Sequence, residues 1–165
     1  MPTWPLQSQC DSFYGNPRGT NGQENPVWKL QNIVNIVPPF RMLYGGAPVR
    51  SVRIHRKCAD DLRMILAEIW ERCGHDQTKA DACGITDYGG SYEFRLMRGR
   101  SSLSMHSYGC AIDFDVDRNG HHAAKHFFQP GDVVVSTFEA HGWVWGGRWA
   151  GTSVDAMHFQ AARVG

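Results

Sequence analysis

Ser104-Met105-His106-Ser107-Tyr108-Gly109-Cys110-Ala111-Ile112-Asp113 decides how the rest of the chain is read. It sets a histidine and an aspartate seven positions apart with a glycine between them. Extended, that interval spans roughly 23 Å at ~3.3 Å per residue, whereas two ligands of one metal ion lie within a few ångströms of each other. A shared metal therefore requires the chain to fold back. Ser107-Tyr108-Gly109 supplies the reversal, because glycine takes the positive φ that a tight turn often needs. Beyond the turn the residues alternate: Ile112, Phe114 and Val116 share one face of a period-two strand, and Ala111, Asp113 and Asp115 the other. With the apolar face on a core, Asp113 is presented on the opposite face, where His106 can meet it. On spacing alone the pattern equally describes a half-buried strand with solvated carboxylates and an incidental histidine.

The ten residues resemble the signature of the zinc D-alanyl-D-alanine carboxypeptidases, Ser-x-His-x-x-Gly-x-Ala-x-Asp, at Ser104, His106, Gly109, Ala111 and Asp113. The same family contains the bacteriophage L-alanyl-D-glutamate endopeptidases. The second half of its pattern, a carboxylate three residues before a histidine, stands at Asp155-Ala156-Met157-His158. The resemblance implies an α+β fold in which a small antiparallel β-sheet carries the zinc site and helices flank it. It implies Zn2+ as cofactor, with His106, Asp113 and His158 as ligands. Three protein ligands with an open fourth position is the catalytic arrangement, whereas structural zinc normally closes its shell with four. Asp155 is then the general base, taking a proton from the attacking water and passing it to the leaving amine. His158 alternates with Met157 and Phe159, but Asp155 is an odd number of positions away. It must precede the strand on an irregular turn to face the same metal.

An arginine near the site is a further implication, because a guanidinium offers a planar fork of donors to a carboxylate or an oxyanion. Arg95 and Arg98 are the candidates, with a short strand over Tyr92–Arg95 delivering the first. Ser104 and the tryptophans of Gly142-Trp143-Val144-Trp145-Gly146-Gly147, Trp143 and Trp145, are candidate substrate contacts, although tryptophans on a strand and turn are usually core. The implied substrate is the stem peptide of bacterial peptidoglycan. The phage endolysin branch, cutting at L-alanyl-D-glutamate, fits better than a D-alanyl-D-alanine carboxypeptidase. A zinc-stabilised domain that binds cell wall without cutting it is the rival of another class, and Asp155 is the residue it would not need.

The remaining sequence bounds these readings. A chain of 165 residues suits one domain with an ordinary core, and 42% hydrophobic with 20% charged residues is a globular composition. A formal net charge of +1 gives no general attraction to nucleic acid or anionic membrane, so neither is expected as a partner. Met1-Pro2-Thr3-Trp4-Pro5 has no basic or apolar leader pattern, and no run reaches membrane-spanning length. The expectation is a monomer held in the host cytoplasm until a separate membrane-permeabilising partner releases it to the wall. Five cysteines, an odd set with no C-x-x-C pair, argue against a disulfide framework, and most of them read as buried free thiols.

Residues 1–50 read as an irregular, turn-rich arm on a catalytic core at 51–165, with a short strand within Trp28–Val37 and alternation at Phe40, Met42 and Tyr44. Helices are predicted over Arg56–Cys73, where Ala59, Leu62, Leu66, Ile69 and Cys73 recur at helical spacing, and over Pro130–His141. Asp115-x-Asp117-x-Asn119-Gly120 begins like an EF-hand loop, but His126 stands where the bidentate glutamate belongs. It reads as a polar turn, and His121, His122 and His126 as exposed loop histidines.

Overall fold

The protein's computed structural model describes residues 2–121 and 123–165. Met1 and His122 lie outside the described residues, and with them the reading of His122 as exposed. In chain order come α1 (Cys10–Tyr14), α2 (Pro26–Asn32), β1 (Ile33–Ile36), β2 (Met42–Tyr44), β3 (Ala47–Val49) and β4 (Val52–His55). Then follow α3 (Arg56–Arg72), α4 (Gln77–Ala82), β5 (Tyr88–Gly90), β6 (Ala111–Phe114), α5 (Val116–Asn119), α6 (Val133–Ala140), β7 (Val144–Trp145) and β8 (His158–Gln160). The class is α+β, as expected. Two antiparallel pairs, β1–β4 and β2–β3, accompany a four-stranded antiparallel sheet in the order β5-β6-β8-β7.

Helix α3 is the backbone of the core. Its stripe of Cys58, Ala59, Leu62, Ile65, Leu66 and Ile69 is buried, and each fully buried Leu or Ile is worth about 1.5–3 kcal/mol. Cys73 caps it and Gly74 leaves it at φ 66°, the left-handed exit that glycine makes without strain. Polar bonds tie this helix to α6. The Arg72 guanidinium donates to Ser136 Oγ and Thr137 Oγ1 at 2.9 and 2.7 Å. His141, at the end of α6, bridges Asp61 and Glu68 at 2.8 and 2.9 Å. Phe138 of α6 stacks on Phe159 of β8 with ring centroids 4.5 Å apart, so this same core backs the central sheet.

The arm differs from its predicted form. Trp28 is helical: Asn25 caps α2 by accepting from the Val27 and Trp28 amides, and Pro26 occupies the first turn. Only Ile33–Ile36 of the predicted strand is β. Tyr14 carries the arm into the core. Its carbonyl accepts from Trp28 Nε1 and from His55 Nε2, at 3.1 and 2.9 Å, and its buried hydroxyl donates to the Ala161 carbonyl at 2.6 Å. Farther out, Leu6 pairs in parallel with Arg163. Gln7 N–H donates to Arg163 O at 2.9 Å, Arg163 N–H to Pro5 O at 2.7 Å, and Arg163 Nε to Trp4 O at 2.8 Å.

Three other expectations shift. The strand predicted at Tyr92–Arg95 lies earlier, at Tyr88–Gly90, with a bulge against β6 and Gly90 at φ 118°. The helix predicted from Pro130 begins at Val133, because Gly131 at φ 87° makes a turn first. Val116 does not continue β6: Asp115 turns left-handed at φ 51° and Val116 opens α5, partly exposed. The calcium-like loop is consumed by its own bonds. Asp115 pairs with Arg118, and the Asn119 side chain donates to Asp115 O and accepts from Phe128 N.

Candidate metal centre

Two strands and one tight turn bring the three candidate ligands together. Asp113 on β6 stands directly opposite His158 on β8 in the antiparallel register, and directly opposed residues project to one face. His106 arrives from the 3₁₀ turn Met105–Tyr108, which Ser104 caps by accepting from the His106 amide at 3.3 Å. The turn closes at Gly109, φ 69°, where a Cβ would meet Ile33 Cδ1 at 2.6 Å and His55 N at 2.9 Å. Glycine thus supplies both the left-handed backbone and the room for β4 to lie alongside. Ser107 laces the turn to the segment before it: its Oγ accepts from Arg95 N at 2.8 Å and donates to Arg95 O at 2.7 Å.

One nitrogen or oxygen from each of His106, Asp113 and His158 lies within 4.8 Å of the others. The hydrogen bonds around them fix which ring nitrogen is free. His106 Nδ1–H donates to the Ser91 carbonyl at 2.7 Å, leaving Nε2 as the atom with a lone pair. That Nε2 is buried and has no hydrogen-bond partner, although Asp113 Oδ2 lies 3.3 Å away. His158 is held the other way round. Its Nε2–H donates to Gln160 Oε1 at 2.8 Å, and Nδ1 faces Asp113 Oδ1 at 3.1 Å. Gln160 is fixed in turn by donating to Ala162 O at 2.8 Å. Carbonyl and amide partners that lock the far nitrogen of each imidazole are what a metal-ligating histidine requires. An orphaned buried imidazole nitrogen, a second oriented imidazole and a carboxylate form a donor set that suits zinc.

The charges at the centre are coupled. Burial opposes ionisation of Asp113, but the facing imidazoles His106 and His158 outweigh it and hold the carboxyl well below the usual range. Burial by itself lowers His158, yet its bond to Asp113 overrides that and pushes it up.

Asp155 sits just before β8, on the turn whose His158 N–H returns to Asp155 O at 3.2 Å. Its own amide donates to Gly146 O at 3.0 Å. A Cβ on Gly146 would collide with the Asp155 carbonyl oxygen, so the glycine lets this backbone approach. Oδ1 of Asp155 is buried without a hydrogen-bond partner, and His121 Nε2 lies 3.8 Å from it. Burial pushes its carboxyl above the ordinary range, with the Asp113 charge adding to the effect. A raised carboxyl beside a candidate metal centre is suited to exchanging protons.

The other predicted contacts are placed differently. Trp143 and Trp145 are core, not groove: Trp143 Nε1 donates to Asp61 Oδ2 at 2.7 Å and Trp145 Nε1 to Ala156 O at 2.7 Å, both in buried surroundings. The tryptophan at the centre is the third, Trp149, half-buried with its ring 5.5 Å from that of His158. Ser104 spends its hydroxyl on capping the His106 turn. Arg95 contributes backbone bonds to that turn, while its guanidinium is exposed beside Glu93 at 3.3 Å. Arg98 is exposed.

A different cation lies on β4. Arg53 donates to Tyr92 O at 3.2 Å and covers the Tyr92 ring at 5.3 Å. Tyr88, raised above its ordinary value by burial, feels both the Arg53 charge and that of Asp113, and shares a 2.5 Å bond with Ser91 Oγ. Of these residues Trp149 was within reach of sequence reading, as the end of the tryptophan run. Arg53 sits on a strand distant in sequence from the motif, and the bond of His55 N–H to Gly109 O at 2.7 Å lays that strand against the His106 turn.

No curated protein and no solved structure matches the chain. Residues 98–161, the stretch holding all three candidate ligands and Asp155, match the family model of D-alanyl-D-alanine carboxypeptidase, whose signature Ser104–Asp113 resembles.

Proposed function

We propose that the protein is a zinc-dependent peptidase that hydrolyses a peptide bond in the stem peptide of peptidoglycan, at L-alanyl-D-glutamate in the manner of phage endolysins. The observation that carries this reading is Asp155 Oδ1, buried and unpartnered beside a histidine–aspartate–histidine donor set. A site meant only to hold metal has no use for a second carboxylate left without a bond. His106 Nε2, His158 Nδ1 and an Asp113 oxygen are the atoms that would hold zinc. Bound there, zinc supplies a Lewis acid for the scissile carbonyl and the attacking water.

The chain's own residues do the rest. Ser91 and Gln160 keep each imidazole in the required tautomer. Asp155, its carboxyl raised by burial, takes the proton of the attacking water and returns it to the nitrogen of the leaving amine. Trp149 forms one wall beside His158, and Arg53, carried toward the site by Tyr88 and Tyr92, is the candidate for a substrate carboxylate. The matched family model favours a second reading, a carboxypeptidase that removes a terminal D-alanine. Delivery to the wall would depend on a separate membrane-permeabilising partner; among the described residues no helix is long and apolar enough to cross a membrane.

Digestion of purified muropeptides followed by mass spectrometry tests both readings. New amino termini at D-glutamate support the endopeptidase, loss of a terminal D-alanine supports the carboxypeptidase, and intact muropeptides in the presence of zinc refute a peptidase. Asp155→Asn keeps the shape and cannot accept the proton. It should retain zinc and lose about 10²–10⁴ in rate; near-parental turnover would remove Asp155 from the mechanism.

A further inference from the structure

Cys73 and Cys83, ten positions apart in the chain, meet at the ends of two helices. Cys73 is the cap of α3 and Cys83 the cap of α4. Each is followed by a glycine in the left-handed region, Gly74 at φ 66° and Gly84 at φ 88°. The repeated Cys-Gly pair therefore stops both helices in the same way and leaves the two side chains facing across the gap. Their sulfurs are 3.9 Å apart. A disulfide needs about 2.05 Å between sulfurs, and side-chain rotation is the small movement that closes the difference. The chain between them, 74–82, is short and contains α4 itself.

Access is also unequal. Cys73 is buried and Cys83 is half-exposed, whereas Cys10, Cys58 and Cys110 are all fully buried. We propose that Cys73 and Cys83 form a modification site: an intramolecular disulfide that closes when the protein meets a disulfide oxidant. The inference rests on the two sulfurs and not on the peptidase reading. The Cys83 thiolate attacks one sulfur of the oxidant, forming a mixed disulfide and releasing one reduced thiol. The Cys73 thiolate then attacks Cys83 Sγ and releases the second. Two electrons pass from the cysteines to the oxidant, and the two thiol protons end on the released thiols. Burial pushes the Cys83 thiol up to about 11, so the first step speeds up as pH rises above neutrality.

The bond would staple the end of the core helix to the segment that leads into β5. That segment is already tied back on itself and to the residue before β2: Thr86 Oγ1 donates to Asp81 at 2.7 Å, and the Gln77 amide exchanges bonds with the Arg41 backbone at 3.0 and 2.9 Å. Beyond β5 lies Ser91, whose carbonyl orients His106.

The test incubates the full-length protein with excess glutathione disulfide at mildly alkaline pH. The protein is then unfolded, its thiols alkylated and its peptides mapped. The expected result is loss of two of the five alkylatable thiols, a cross-linked peptide joining Cys73 to Cys83, and a melting temperature raised by roughly 5–10 °C. Cys83→Ala should show neither the cross-link nor the shift, and the parental peptide map stands by itself if that variant fails to fold. Five free thiols at equilibrium, a glutathione adduct that persists on Cys83, or a link involving Cys10, Cys58 or Cys110 would each overturn the proposal.

Discussion

His55 should make the fold acid-sensitive well above the range where carboxylates titrate. Its ring is fully buried, with Nε2–H donating to Tyr14 O at 2.9 Å and Nδ1 accepting from Lys57 N at 3.1 Å. Both nitrogens are committed to the neutral form. Burial is the main cause that lowers the group from 6.5 to about 4, and the neighbouring Arg56 and Lys57 charges add to it. With the folded value below the unfolded one, the unfolded chain takes the proton first. Stability is therefore complete above 6.5 and falls as pH drops toward 4. Integrating between those values gives a loss of about 2 kcal/mol at pH 5 and about 3 kcal/mol at pH 4. His55→Gln keeps a donor toward Tyr14 O and does not titrate, so it isolates the effect from all other ionisations. Urea unfolding of both proteins at pH 7 and pH 5 measures it. The parent should lose about 2 kcal/mol more than the variant over that interval. Equal losses would mean that His55 takes up its proton in the folded state, and the burial argument would fail.

The remaining predictions bear on the site and its supports. His106→Ala removes the orphaned Nε2, and metal analysis should find zinc near one per chain in the parent and little in the variant; equal content would sink the ligand set. Gly146→Ala forces a methyl into the Asp155 carbonyl, so turnover on muropeptides should drop on the order of 10²-fold with zinc retained. Unchanged turnover would show that the backbone there yields freely. Tyr14→Phe leaves the Ala161 carbonyl without its donor in a buried setting, at a cost of about 1–3 kcal/mol by urea denaturation. A variant as stable as the parent would mean that the carbonyl finds another partner.

The gathering of His106, Asp113 and His158 was legible through the family resemblance: the glycine turn and period-two strand only permit His106 to meet Asp113, and His158, 45 positions from Asp113, entered with the second half of the pattern. Helix α3 was legible locally, its stripe and its glycine exit lying within one window. The short strand expected within Trp28–Val37 is β1, but the β-branched run Ile33-Val34 masks the helix before it, whose signs are Asn25 as cap and Pro26 in the first turn. The roles of Trp143 and Trp145 hung on partners the sequence does not announce. Asp61, which receives the Trp143 indole, lies 82 positions away. Cys73 and Cys83 carry a readable sign, the doubled Cys-Gly, but their facing depends on how α3 and α4 dock.

The pairing of residues 4–7 with Arg163 also fixes an order of events in folding. Trp4 and Arg163 are 159 positions apart, so this closure organises almost the whole chain into one loop, and contacts so remote in sequence form slowly. During synthesis the early segment must wait, its apolar side chains uncovered, until β8 and the residues beyond it have been made. His158 enters in that same late stretch. Asp113 and His106 can meet as soon as β6 has formed, but the third candidate ligand and Asp155 come only with the strand that the early segment is waiting for. A metal held by all three candidate ligands could therefore not act as a nucleus for folding. Zinc uptake and completion of the fold should instead share a single slow kinetic phase, and a chain stalled short of β8 would hold neither.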